Sequence, residues 1–170
     1  MNPRRVALLT GLALMGMLFG FGQALQVLAA PPPPFQMGQD LPNLVQRASL
    51  IIVGKVVDVK AGRVAGEGEA RLEFDDVRVS VEKRLKGEAP AEVVVELVSQ
   101  KRRVVIFPQI GPPYKPDERY VLFLTPGEGG RFVAIVPRGR LFLEGGRVGP
   151  LDMDEAKFIE EIQTLVRGQN

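Results

Sequence analysis

Five short stretches carry side chains whose types and spacing could do chemistry. Ser80-Val-Glu-Lys83 has the S-x-x-K spacing with which one class of serine hydrolase sets a nucleophilic hydroxyl beside a lysine. That pairing needs one helical turn between the two residues. Here the stretch sits in an alternation of valines with polar residues, which predicts a strand, and positions three apart on a regular strand face opposite ways. No S-D-N or K-T-G partner occurs in the chain. Asp152-Met-Asp-Glu155 groups three carboxylates as a weak calcium site would, but acids in the first turn of a helix are explained by the helix dipole. Asp75-Asp76 offers two adjacent carboxylates that diverge on a strand, so a bulge or a solvated loop explains them better. Lys101-Arg-Arg103 is the densest basic run. The fifth stretch is the loop holding Ile110, Pro112, Pro113, Tyr114 and Lys115. Its prolines make it stiff, which lowers the ordering cost of binding, and Tyr114 offers a rigid amphipathic contact. A loop that only covers a sheet edge would look the same.

Two absences narrow the chemistry further. The chain has no histidine and no cysteine. That removes the commonest general base, the commonest metal ligand, every Ser-His-Asp arrangement, thiolate zinc sites and disulfides. No catalytic residue, metal site or cofactor is therefore expected. Arg4 and Arg5 precede the first acid, and without them basic and acidic side chains balance at 20 each. A neutral body steers weakly toward nucleic acid. Stacking platforms for single strands are scarce too, with two tyrosines and no tryptophan, so no nucleic-acid partner is expected.

The N-terminus has the grammar of a secretory signal. Arg4 and Arg5 form a positive head, an uncharged apolar run follows, and small residues such as Ala24 and Ala29 stand at cleavable spacings. Residues 1–29 read as a signal peptide or, uncleaved, as an N-terminal anchor. Either way the remainder is expected outside the cytoplasm, secreted, periplasmic or at the cell surface, touching membrane only through that segment. Residues 30–39, with four consecutive prolines, read as an extended linker. Residues 40–170 are one domain's worth of chain.

Asp40 as N-cap, Pro42, and an apolar face of Leu41, Leu44, Val45 and Ala48 predict a short helix. Residues 50–59 predict a strand that is apolar on both faces up to Gly54. Beyond it Val57 and Val59 share one face and Asp58 and Lys60 the other. A strand buried twice at one end and once at the other suits a sheet that curls, with Gly54 at the bend. Residues 61–70 read as a glycine-rich loop. Strands are expected at 71–85, with Val77, Val79, Val81 and Leu85 inward and a bulge at Asp75-Asp76, then at 92–97, 102–107, 120–125 and 131–136. A hairpin follows across Gly145-Gly146. Asp152 and Glu155 read as a capping box for a last helix with the stripe Phe158, Ile159, Ile162, Leu165, Val166.

The order RASLIIVGKV, VRVSVEKRLKGEAP, a proline-rich loop into DERYVLFL, and RFVAIVPRGRLFLEGGRV resembles a widespread group of secreted bacterial domains of unassigned function. It is more distantly similar to netrin-like and metalloproteinase-inhibitor domains. The resemblance spans residues 40–148 and implies a mainly β fold, a small OB-like, netrin-like antiparallel β-barrel with a short N-terminal helix and a C-terminal amphipathic helix. The inhibitors reach their target's zinc through an N-terminal cysteine that this chain lacks, so that mechanism does not carry over. The expected role is a non-catalytic extracytoplasmic binding module that meets an unknown protein or cell-envelope ligand through its loops. The alternative is a small envelope hydrolase built on carboxylates or the Ser80–Lys83 pair.

Overall fold

A computed structural model describes residues 34–67, 71–99 and 113–169. Residues 1–29, expected as a signal peptide or anchor, the Lys101-Arg103 run, the strand expected at 102–107, Ile110 and Pro112 lie outside those residues. The described elements are α1 (Met37–Arg47), β1 (Leu50–Ala65), β2 (Leu72–Lys86), β3 (Glu92–Val98), β4 (Arg119–Pro126), β5 (Phe132–Ala134), β6 (Arg140–Glu144), β7 (Arg147–Val148), β8 (Met153–Asp154) and α2 (Glu155–Arg167). The strands form one sheet in the order β1-β2-β3-β5-β4-β6-β7-β8, and β1 also pairs with β4. That extra pairing closes β1, β2, β3, β5 and β4 into a ring.

The ring departs from the all-antiparallel expectation at one place. β3 and β5 run parallel and are joined only through Val95 with Phe132 and Glu96 with Val133. A ring of five strands cannot alternate direction all the way round, so one pairing has to be parallel. It falls on the shortest strand of the ring.

The both-faces burial of the first strand has a direct cause. Leu50, Ile52 and Val56 join Val77, Val79, Val93, Val95, Tyr120, Leu122 and Leu124 in a core enclosed by the ring. Ile51 and Val53 point the other way, with Val121, Phe123, Leu141 and Leu143, into a second core roofed by Leu44 and Val45 of α1 and Phe158, Ile159 and Ile162 of α2. β1 and β4 are thus a wall shared by two dry interiors, each fully buried side chain stabilising the fold by ~1.5–3 kcal/mol.

Gly54 stands at a register shift between β1 and β2, as expected. Further shifts lie between Ile51 and Ile52, Val56 and Asp58, and Ala61 and Val64. At Gly54 the need is close approach: a Cβ there would stand 2.5 Å from Val79 Cγ1 and 2.9 Å from the Ser80 carbonyl oxygen. The other shifts correct several expectations. Val57 is the extra residue of its bulge and is 44% exposed, while Val56 faces the ring. Two shifts near the end of β2 turn Leu85 into the helix-roofed core, away from Val77 and Val79. No irregularity falls at Asp75-Asp76, where β2 and β3 pair without a break; the bulge is across the ladder in β1. Residues 61–65, expected as loop, continue β1 because Ala61, Val64 and Ala65 pair with Asp75, Glu73 and Leu72.

The helices also start differently. α1 begins at Met37, inside the stretch read as linker, with Phe35 and Met37 packed on the second core. Asp40 lies within the helix rather than at its N-cap, and its carboxylate accepts from the Gln36 N–H at 2.6 Å. Asp154, not Asp152, caps α2, accepting from the Lys157 N–H at 3.1 Å. Asp152 has a left-handed φ of 48° and Glu155 opens the helix.

Two glycines should respond oppositely to alanine. Gly54→Ala forces its new methyl into Val79 and should cost about 1–3 kcal/mol. Gly38→Ala, in α1 with nothing within 4 Å of the added carbon, should stabilise by about 0.5–1 kcal/mol. Urea denaturation of the two variants checks the signs. In the same assay Val79→Asp should leave the chain unfolded, since Val79 is 0% exposed, and the half-exposed Arg78→Ala should not.

Candidate functional site

The charged side chains of the ring are largely spent on one another. Arg63 of β1 grips Glu96 of β3 with both arms, Nε to Oε2 at 2.6 Å and Nη2 to Oε1 at 3.0 Å. Its other nitrogen lies 3.2 Å from Glu128, and its guanidinium stacks 4.3 Å from the Phe74 ring centroid. Arg131, next to β5, grips Asp76 of β2 the same way, both contacts at 2.8 Å. The Arg131–Asp76 fork crosses the place where β3 and β5 share only two residue pairs and so pins the weakest seam of the ring, while the Arg63–Glu96 fork ties β1 to β3 across β2. The hydrogen bonds from Arg131 hold the Asp76 carboxyl below its ordinary value of 3.8, against the upward push of burial.

A second set of ion pairs ties β4 to its neighbours. Arg119 donates to Glu155 at the start of α2 through two contacts of 2.9 and 3.0 Å, and to Glu82 of β2 at 2.9 Å. These carboxylates raise the Arg119 pKa, so it stays charged at any working pH.

The aromatic side chains mark a different kind of place. Tyr114 meets Tyr120 edge-on with ring centroids 5.0 Å apart, and Tyr120 in turn tilts against Phe142 at 5.5 Å. The Tyr120 hydroxyl donates to Glu118 at 2.6 Å; burial first, then that carboxylate, raise its pKa. Arg140 lies 4.4 Å over the face of Tyr114. Beside this pair is a cavity of about 90 Å³ lined by Phe74, Leu97 and residues 133–137, with Tyr114, Arg140 and Glu96 as its polar members. Burial raises the Tyr114 pKa and the neighbouring charge of Arg140 offsets only part of that, so the hydroxyl keeps its proton.

The expected site residues land unevenly. Pro113 and Lys115 are exposed. The Lys115 N–H donates to Glu118 at 3.0 Å. Tyr114 is only 4% exposed and belongs to the ring core, so it lines the cavity rather than the loop's outer surface. Ser80 and Lys83 do not diverge as a regular strand requires. Ser80 pairs with Lys55 and Lys83 with Val53, with Glu82 as the extra residue between, and directly opposed residues share a face. The two therefore lie on the outer side together, Ser80 half-buried and Lys83 exposed, and the nearer ionic partner of that edge is Glu82 with Arg119. The three acids of the last helix separate: Asp152 pairs with Arg147, Asp154 caps, and Glu155 holds Arg119. Asp75 is buried and Asp76 is engaged with Arg131.

Arg63, Glu96, Arg131 and Arg140 escaped the sequence reading. Arg63 sits in a stretch read as loop, and nothing local distinguishes the others from solvated charges. The one available signal was Arg131, which follows a double-glycine turn into a strand. No model of a known protein family matches the chain, and no curated protein matches it.

The Asp76–Arg131 fork makes stability pH-dependent in one direction. The folded pKa of Asp76 lies below its unfolded value, so the contribution is complete above about pH 4 and disappears as pH falls through the lower folded value. Asp76→Asn should therefore cost about 1 kcal/mol at neutral pH and progressively less in acid. Urea midpoints of both proteins from pH 7 to pH 2.5 measure this.

Proposed function

We propose that residues 40–170 form an OB-type, netrin-like barrel outside the cytoplasm. In this reading it works as a non-catalytic binding module for a protein or cell-envelope ligand. The five-strand ring with a helix before the first strand and another after the last supports the architecture. The secretory grammar of residues 1–29 supports the address. The binding site is the end of the ring where the chain returns into β4 through Pro113, Tyr114 and Lys115.

The observation that carries the binding role is the apolar cavity beside Tyr114. It is a concave, mostly hydrophobic surface with a few polar groups at its edge, the form of small-ligand and anchor-residue sites. Most ionisable groups around the ring serve each other in ion pairs, and the carboxylate of Glu96 in the cavity lining is itself held by Arg63. Such a site can hold a molecule by shape and contact without reacting with it.

Native mass spectrometry of the full chain, isolated from its own envelope fraction under non-denaturing conditions, tests the reading. A non-covalent adduct is expected on the wild type. It should be lost from Ala134→Phe, which fills the cavity, while the melting temperature is kept. An adduct that survives the filled cavity would place binding elsewhere. Turnover of an envelope component that stops in Ser80→Ala would replace binding with hydrolysis.

A further inference from the structure

Most charges of the ring are paired, but one concave place holds two cations without an acid. A cavity of about 570 Å³ lies where the end of β2 meets Ser49 and the end of α2. It shares no lining residue with the cavity beside Tyr114. Its charged members are Arg84 and Lys86, and its described lining contains no carboxylate. Of the acids flanking them in sequence, Glu82 is held by Arg119, and Glu88 is exposed and outside the lining.

Lys86 donates to the Val45 carbonyl at 2.7 Å and to Gln169 Oε1 at 3.1 Å. Both acceptors are neutral, so the ammonium keeps its charge, and one of its three protons is left over. A lysine on the last turn of α1 is explained by the helix dipole alone. Arg84 has no such explanation: among the described residues it makes no hydrogen bond or ion pair. Gln169 meets Lys86 through its carbonyl oxygen, which leaves its amide nitrogen to donate. The Ser49 hydroxyl spends its proton on the Leu124 carbonyl. Leu85, 8% exposed, and the half-buried Val166 supply the apolar part of the lining.

We infer that this cavity binds a small phosphomonoester, its phosphate accepting from Arg84, Lys86 and Gln169 and its organic body lying against Leu85 and Val166. A phosphomonoester carries about −1.5 to −2 charges at neutral pH and offers three strong acceptor oxygens. That matches two cations and the donors of three side chains. A carboxylate brings one charge and two oxygens. The volume falls within the ~300–1,000 Å³ of small-molecule sites, which leaves room for a body beyond the phosphate. Arginine's planar fork suits two of the phosphate oxygens at once.

The probes are sn-glycerol 3-phosphate, glycerate and glycerol, titrated separately into the full chain and followed by the amide resonances of Gly87 and Gln169. Glycerol 3-phosphate is expected to shift both resonances, glycerate to bind severalfold more weakly, and glycerol to leave both unmoved. Arg84→Gln, at an exposed side chain, and Lys86→Gln should each weaken glycerol 3-phosphate about tenfold. Arg71→Gln removes the same charge at the opposite end of β2 and should change the affinity less than about twofold. Melting temperatures of the variants separate a lost contact from a lost fold. Equal affinity for glycerate and glycerol 3-phosphate would overturn the phosphate assignment. Equal losses in Arg84→Gln and Arg71→Gln would also overturn it, since diffuse attraction would then account for binding. No shift with glycerol 3-phosphate overturns the inference outright. Flotation with phosphatidylglycerol vesicles, against phosphatidylcholine alone, separates the sources of phosphate. Arg84-dependent flotation without a response to glycerol 3-phosphate would replace the small ester with a lipid surface.

Discussion

The pairing of β1 with β4 is the constraint on which the structure depends. Residues 50–55 lie against residues 119–124 in an unbroken antiparallel register. Both strands are buried on both faces, so every second side chain serves a different interior. One set fills the ring; the other meets the helices. Neither core closes without that wall. A parallel-sheet strand is usually the one that reads as a continuous apolar run. Here an antiparallel pair has the same signature, because a ring covers one face and two helices cover the other.

Closing the ring has a consequence on the opposite side. With five members one pairing must be parallel, and it falls where β5 is only three residues long. Backbone bonding there is sparse. The fork from Arg131 to Asp76 supplies directional contacts across that region, and the fork from Arg63 to Glu96 braces β3 against β1 on its other side. Partly buried, bidentate arginine–carboxylate pairs are the kind of ion pair that contributes measurably, unlike most exposed ones. The cavity lies along this thinly bonded seam, with Glu96 and residues 133–137 in its lining. The place where the sheet is least completely zipped is also where it leaves room.

Much of the architecture was legible in the sequence, and the failures have physical reasons. Alternating valines at 77 and 79, the run LIIV before Gly54, and the stripe Phe158, Ile159, Ile162 each imply a buried face, and each is buried. These signals are local and repeat along the chain. Bulges are not local: an extra residue at Val57 or Glu82 depends on the partner strand, so Val57, Leu85 and the Ser80–Lys83 pair were assigned to the wrong faces. The helix starts differ because Asp154, two residues from Asp152, is equally suited to cap α2, and tertiary packing of Phe35 and Met37 carries the start of α1 back past Asp40. The candidate site was half visible. Tyr114 stood out as a rare aromatic in a proline-rich loop, but its burial, its cation partner Arg140 and the wall at 133–137 come from segments distant in sequence.

Native-state hydrogen exchange of β1 and β4 tests the shared wall directly. The amides of residues 50–53 and 121–124 should exchange only through global unfolding, with opening free energies equal to that from urea denaturation, while the pairing of β3 with β5 opens at lower cost. If instead the wall exchanged by partial opening while α2 or the β6–β7 hairpin stayed protected, the two cores would be independent and the shared-wall reading would be wrong.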